Sequence, residues 1–177
     1  MDIITNRTDR NRTTRMKIGE SILGLLKRTP LAEIRISAIA QQAGISRMTF
    51  YHYYETKEAA LKDYLSEIIM LYVNETREKG MDHLFHTAED LEFTLCFFAH
   101  YKEFLLTLDK AGCYNILIDG VNDYLETYQK PHFSASIYHL YYYAGAILNV
   151  FMNWLRSGQK ESPAEIANLI LSESLLP

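Results

Sequence analysis

Apolar residues recur at intervals of three and four along most of the chain, which is the pattern of amphipathic helices on a core. One stripe runs from Ile18 to Leu26, and a shorter one runs from Ile36 to Ala43. We find no segment with the alternation of a half-buried strand. The pattern therefore predicts an all-α fold.

A second short helix is predicted directly after the Ile36–Ala43 stripe. Gly44 stands where a helix ends in a left-handed residue, and Ser46 can cap the next helix after a link of two or three residues. Phe50 is expected to anchor this helix inward, and no acidic residue lies between positions 47 and 54. The helix carries side chains that can donate to phosphates or base edges: Arg47, Thr49, Tyr51, His52 and Tyr53. The spacing predicts a helix-turn-helix.

A long helix follows from Thr56 to about Lys79 and ends at Gly80. Thr56 is predicted to cap it, and Lys57 would lie at its positive end. Cation and helix dipole repel each other unless an anion is bound, so Lys57 is predicted to contact a phosphate. Further helices are predicted at Leu91–Tyr101, Phe104–Leu108, Tyr114–Tyr128 and Phe133–Arg156, and a last one starts at Ser162 with Pro163 and a capping box to Glu165.

Two motifs resemble a known family. Ala43-Gly44-Ile45-Ser46 followed by Thr49-Phe50-Tyr51-x-Tyr53-Tyr54-x-x-Lys57 resembles the DNA-binding signature of TetR-family transcriptional regulators. Trp154-Leu155-x-x-Gly158 with Ser162-Pro163 is similar to the subgroup that includes the dihydroxyacetone-kinase regulator type. The resemblance implies a DNA-binding head at residues 1–55, with a three-helix helix-turn-helix and a basic arm. A long helix would join it to a regulatory and dimerisation body at residues 56–177.

The implied function is a dimeric transcriptional regulator, expected to be a repressor, that binds a palindromic DNA operator and responds to a small-molecule effector. Arg35 stands where the family usually has a capping threonine, and Arg47 stands where glycine is common. An unpaired arginine at a helix start suggests a phosphate contact, and a guanidinium fork can read guanine. The predicted DNA-binding residues are Arg35, Ser37, Ser46, Arg47, Met48, Thr49, Tyr51, His52, Tyr53 and Lys57.

The segment from Ser136 to Trp154 is apolar almost all round, so it needs cover on several sides. In the family the last two helices of each subunit form a four-helix dimer interface, which would supply this cover. The predicted interface residues are Gly145, Ala146, Val150, Trp154, Ile166, Leu169 and Ile170. A central helix in a monomeric core is the alternative.

Aromatic residues of the body are candidates for an effector pocket: Phe97, Phe98, Tyr101, Phe104, Tyr114, Tyr138 and Tyr142. At helical spacing they are equally compatible with a plain core. Acidic residues beside them would suit a lipophilic cation.

Charge is distributed unevenly along the chain, whose net charge is -4. Residues 1–54 hold nine Lys or Arg against four acids, whereas residues 55–177 hold nine against eighteen. A basic head on an acidic body is expected when one end meets phosphates. Arg7, Arg10, Arg12 and Arg15 precede any core face, so the first dozen residues are expected to be irregular, either as a solvated tail or as a basic arm on DNA.

Other function classes find less support. No apolar run reaches the length of a membrane span, and the N-terminus lacks a signal-peptide core, so we expect a cytoplasmic protein. Cys96 and Cys113 are predicted to be buried free thiols. His83, His86 and the Cys96–His100 pair lack a third metal ligand, so no metal and no cofactor are predicted. Two alternatives stay open: a co-regulator that docks on another protein, and a small helical enzyme that uses the histidines.

Overall fold

The computed structural model describes residues 9–81, 87–132, 134 and 136–172, and in these residues the chain is all helical. They form nine α-helices, with a 3-10 turn at Leu31–Glu33 between the first two. The helices are α1 Asp9–Leu26, α2 Ile36–Ala43, α3 Arg47–Tyr53, α4 Lys57–Glu78, α5 Ala88–Ala99, α6 Lys102–Lys110, α7 Tyr114–Tyr124, α8 Ile137–Arg156 and α9 Pro163–Leu171. None of the described helices is long and apolar enough to cross a membrane.

The predicted helix starts are confirmed by their capping hydrogen bonds. The Thr56 hydroxyl accepts the N–H of Ala59 at 3.0 Å, which begins α4. Ser162 and Glu165 form the reciprocal capping box of α9. Each bond satisfies an N–H that the first helical turn leaves without a partner. Local signals therefore set where these helices begin.

One predicted boundary is wrong, and one predicted helix changes its type before its end. The first dozen residues are not all irregular, because α1 begins at Asp9, nine residues before its first buried isoleucine at Ile18. Helix α7 ends at Tyr124 and continues as a π-helical turn at Leu125–Gln129, and a 3-10 turn at Lys130–His132 follows. The next helix then starts at Ile137, and residue 133, where it was predicted to start, lies outside the described residues.

One continuous apolar core runs from the head into the body, and α4 is its central element. In the head, Ile22 of α1, Ile39 of α2 and Phe50 of α3 are fully buried. Helix α4 packs on α1 at its first half and on α7 farther along. Helix α5 packs on α9. Helix α4 therefore belongs to the packing of both parts.

Candidate nucleic-acid interface and body cavity

The turn between α2 and α3 is closed by local hydrogen bonds. Gly44 has a φ of 68°, which a residue without Cβ adopts at little cost. The N–H of Gly44 bonds to the carbonyl of Gln41 at 3.3 Å, and that of Ile45 bonds to the carbonyl of Ala40 at 2.9 Å. The Ser46 hydroxyl accepts the N–H of Thr49 at 2.9 Å. The predicted helix-turn-helix is therefore present and held at both ends of the turn.

Helix α3 divides into a buried face and an exposed face. Phe50 is fully buried and meets the ring of Tyr51 edge-on, with centroids 5.8 Å apart. Met48 is 77% exposed, although methionine is usually a core residue. Arg47, Tyr51 and His52 are exposed beside it.

Six predicted DNA-binding residues are exposed, and their side chains form no hydrogen bond or ion pair with any described part of the chain. We call them the recognition face: Arg35, Ser37, Arg47, Met48, Tyr51 and His52. Arg35 is the residue before α2, and its side chain makes no capping bond. Ser37 does not supply one in its place. The donors of this face are thus available to a partner outside the chain.

The other predicted contacts already have partners inside the head. Ser46 and Thr49 pair their hydroxyl oxygens at 2.9 Å while capping α3. The Tyr53 hydroxyl donates to Asn11 Oδ1 at 3.0 Å, which ties α3 to α1. These three side chains position the recognition face, and a contact to DNA from them stays a prediction.

Lys57, which is predicted to contact a phosphate, has hydrogen-bond partners inside the chain. Its ammonium donates to the carbonyl of Leu31, to that of Ala32 at 3.2 Å and to that of Ile34 at 3.0 Å. An ammonium has three donors, and all three are used on the turn between α1 and α2. The lysine therefore fastens the first turn of α4 to that connection.

Arg15, which was expected in a solvated tail or a basic arm, lies inside the fold. It is 6% exposed, and its guanidinium donates to Asp63 at 2.6 and 2.7 Å and to Glu67 at 2.6 Å. Arg12 donates to Glu67 at 2.8 Å, and the Tyr54 hydroxyl donates to Asp63 at 2.6 Å. We call these five residues the junction cluster.

The junction cluster joins α1 to α4 through charge. Burial by itself lowers the pKa of Arg15, but its bonds to Asp63 and the charge of that carboxylate outweigh burial, and the pKa is raised. Burial, together with Asp63, also raises the pKa of the Tyr54 hydroxyl. Complementary spacing was the available signal in the sequence, because the two arginines are three apart and the two acids four apart, as on single helix faces.

The predicted dimer residues fall on two different sides of α8 and α9. Gly145, Ala146 and Leu169 are exposed, and Val150 and Ile170 are half-buried. Trp154 and Ile166 are buried in their own chain, so they leave little surface for a second subunit, and their place in an interface stays a prediction. The Trp154 indole donates to the carbonyl of Glu161 at 2.9 Å, which explains why it turns inward.

Large aromatic side chains, which the interface prediction omitted, cover the exposed side of α8. Tyr138 is 77% exposed and Tyr142 is 63% exposed, and Tyr143 lies beside them. We call these three residues the tyrosine patch. Large contiguous apolar patches are rare on the surfaces of monomeric proteins.

A cavity of about 100 Å³ lies inside the body, between α4, α5, α6, α7 and α8. Its walls are apolar, and their members include Leu65, Ile69, Tyr72, Leu95, Val121, Tyr124 and Phe151. Two hydroxyls at its edge bond to each other, since Tyr72 and Thr94 lie 2.8 Å apart. Burial raises the pKa of the Tyr72 hydroxyl, which stays neutral. The cavity therefore suits an uncharged, apolar group.

Of the seven aromatics predicted as pocket residues, Phe98 lines this cavity and the other six do not. Phe97 and Phe104 are core residues, and Phe104 packs on Tyr64 with ring centroids 5.0 Å apart. Tyr101 is half-buried against Phe97, and Tyr114 lies under the Arg156 guanidinium at 5.8 Å. Tyr138 and Tyr142 are on the surface. Helical spacing could not say which side of each helix faces the central space.

No group of three or more possible metal ligands occurs among the described residues. His83 and His86 lie outside them. Both cysteines are free, Cys113 buried as predicted and Cys96 only half-buried. Burial raises the pKa of both thiols, so neither is an activated thiolate.

Comparison with known proteins gives two family matches. The model for bacterial regulatory proteins of the tetR family matches residues 21–63, and a model for a transcriptional regulator C-terminal region of TetR type matches residues 110–172. The chain is also similar to the HTH-type transcriptional regulator EthR of Mycobacterium tuberculosis, with 47% identity over 45 residues. That match covers 25% of this chain and only 21% of EthR.

Solved structures share the fold over nearly the whole chain. The fatty acid degradation regulator FadR from Bacillus halodurans has a TM-score of 0.59 at 16% identity and covers 93% of this chain and 97% of its own. FadR from Thermus thermophilus, solved with lauroyl-CoA, has a TM-score of 0.53 at 20% identity and covers 92% and 96%.

The dihydroxyacetone kinase operon activator DhaS also shares the fold, with a TM-score of 0.51 at 19% identity and coverage of 89% and 91%. The subgroup resemblance thus reappears as one of several neighbours. Because the matched models describe regulators of transcription and not enzymes, and the helix-turn-helix lies inside the N-terminal match, the chain belongs to the TetR family of bacterial transcriptional regulators.

Proposed function

We propose that this protein is a dimeric repressor that binds a palindromic operator through residues 1–55 and senses a small molecule through residues 56–177. The observation that carries the proposal is the recognition face. It concentrates unpartnered donors and an exposed methionine on one short helix and the start of another. A helix of this width fits the major groove.

Arg47 is the proposed base-reading residue. It is exposed at the first position of α3, where side chains of a recognition helix meet base edges. Its guanidinium can donate two hydrogen bonds to guanine. Arg35 and Ser37, at the start of α2, are proposed to contact phosphates, because the free N–H groups of a helix start also attract anions.

The tyrosine patch supports the dimer. Together with the exposed Gly145, Ala146 and Leu169, it gives α8 and α9 an apolar outer side that nothing within the described chain covers. A second copy would cover it by a two-fold contact of the same surface. Mass measured by light scattering at micromolar concentration tests this: Tyr142→Glu is expected to give monomers, and His139→Gln, an exposed neighbour, is the control.

The effector is proposed to occupy the body cavity. The FadR structure from Thermus thermophilus contains lauroyl-CoA, which shows that this fold can hold a ligand with an acyl chain. The apolar walls here suit such a hydrocarbon part. A cavity of about 100 Å³ is below the 300–1,000 Å³ of roughly drug-sized sites, so a small ligand or an opening of the helices is required.

Footprinting of the DNA upstream of its own gene tests the central claim. Protection of two half-sites about 34–36 Å apart is expected, and Arg47→Ala should abolish it at the same protein concentration. Glu89→Gln, an exposed body residue outside both the head and the proposed dimer interface, is the control. Protection without a repeated half-site, or none at all, would contradict a palindromic operator.

A further inference from the structure

A second pocket lies on the outside of the body next to the cavity. We call it the outer pocket; it measures about 130 Å³ and lies between α4, α7 and the π-helical turn. Ile69 and Tyr124 line both spaces. The two side chains are therefore the wall between the buried cavity and the protein surface.

Tyr124 is the polar part of this wall. The amide of Gln129 donates to its hydroxyl at 2.5 Å, and its ring stacks on Tyr128 with centroids 5.9 Å apart. On the cavity side the same ring meets Tyr72 edge-on at 6.1 Å. Gln129 ends the π-helical turn, a geometry that is rare in helices and frequent at functional sites. A hydrogen bond from this turn and contacts with two aromatic rings thus hold Tyr124 in the wall.

The outer pocket differs in chemistry from the cavity. Ser66, Thr127 and the charged Lys62 and Asp123 line it, whereas the cavity is apolar. The Lys62 ammonium is already bound to Asp119 at 2.5 Å. Asp123 is exposed and makes no hydrogen bond or ion pair with the described residues. One cation against two carboxylates leaves this opening acidic, which favours a neutral or cationic group over an anion.

We propose that Tyr124 is the gate of the effector site, and that the ligand is a small amphipathic molecule with its apolar end in the cavity and a neutral or cationic head in the outer pocket. The inference rests on the proposed function for its biological meaning, since it names the ligand class of that site. Ligand binding is measured without DNA, so operator binding and this inference fail separately.

Hexylamine, hexan-1-ol and hexanoate form a matched series that tests the head group. An apolar cavity of about 150 Å³ is filled by benzene, so part of a six-carbon chain fits inside and the rest crosses the gate. Titration followed by calorimetry is expected to give tighter binding for the amine and the alcohol, with hexanoate at least tenfold weaker. Equal or tighter binding of hexanoate would overturn the proposed head group.

Asp123→Asn tests whether the Asp123 carboxylate causes the weaker binding of hexanoate. The variant is expected to bring the affinities for the amine and hexanoate to within about threefold, because a charge facing the head is lost. Glu89→Gln is the matched control, an exposed carboxylate that lines neither space. Unchanged discrimination in Asp123→Asn, or the same loss in Glu89→Gln, would remove Asp123 from the site.

Tyr124→Phe tests the gate. The phenylalanine keeps the ring but cannot accept from Gln129, so hexylamine is expected to enter and leave severalfold faster, measured from NMR line shapes during titration. Tyr141→Phe is the control, because it removes a comparable bond to Glu126 outside both spaces. Exchange rates equal to those of the parent protein would overturn the gate, as would equal acceleration in the control.

Discussion

Two groups of arginines in the head differ in what they contact. In the junction cluster, Arg15 is buried and bound by two carboxylates of α4. On the recognition face, Arg35 and Arg47 are exposed and have no partner within the described chain. The same residue type is therefore structural in one place and available to a ligand in the other. A count of charges along the chain does not separate the two.

The positive charge of the head likewise includes residues that pair within the chain and residues that remain available to a ligand. Arg12, Arg15 and Lys27 of the head all pair with acids that follow in the body: Asp63, Glu67 and Glu103. Part of the positive charge of the head therefore forms ion pairs that join the head to α4 and α6. The charge that remains for DNA is smaller than the sequence suggests, and among the described residues it includes Arg35 and Arg47.

Arg15→Ala is expected to have the largest effect. Removing the buried guanidinium leaves Asp63 and Glu67 without their main counter-charge, which costs about 3–5 kcal/mol of unfolding free energy. Arg12→Ala is the control, since its side chain is 44% exposed and such pairs contribute about 0–1 kcal/mol. Urea denaturation of both variants gives the comparison. Similar losses would mean that burial does not distinguish the two arginines.

Lys57→Met is expected to cost about 1.5–3 kcal/mol of stability, because the carbonyls of the 3-10 turn lose a charged donor. If Lys57 is structural, the dependence of operator affinity on salt should keep its slope once unfolded protein is allowed for. A slope that falls by roughly 0.9 would instead make Lys57 a phosphate contact. Lys62→Met, which changes a lysine of the same helix that binds Asp119, is the matched control.

Arg47→Ala is expected to leave stability unchanged and to lower operator affinity by about 1–3 kcal/mol, with little change on random DNA. The reason is that a fork reading guanine contributes only at the correct base pair. Fluorescence anisotropy with the two DNAs measures this difference. An equal loss on both would move Arg47 from base reading to phosphate contact.

Arg35→Ser is expected to have a small effect on stability, and it should raise stability where the other variants lower it or leave it unchanged. Serine at the residue before α2 can accept a backbone N–H that Arg35 leaves unbonded, which should raise stability by about 0.5–1 kcal/mol. Operator and random DNA should both bind more weakly if Arg35 contacts a phosphate. Ser46→Ala, which removes an existing cap, should lower stability by about 1 kcal/mol and calibrates the measurement.

The sequence predicted those features that depend on one or two helical turns. Gly44, Ser46, Thr56 and Ser162 end or begin helices through bonds to residues within four positions, so their roles follow from spacing. Phe50 is the apolar anchor of a short polar helix, and it is buried as predicted. The all-helical fold and the family follow from these same local signals.

Only the tertiary structure decided which side of each helix faces another helix, the cavity or the surface. Lys57 meets carbonyls 23 to 26 positions away, and Arg15 meets acids 48 and 52 positions away. The body cavity depends on the rotation of five helices, which is why only Phe98 of the seven predicted aromatics lines it and why Trp154 turns inward. Helical periodicity fixes which residues share a face. The neighbour of that face is set by packing between segments that are distant in the sequence, because a buried charge needs an opposite charge beside it and an aromatic ring needs a space of its own size.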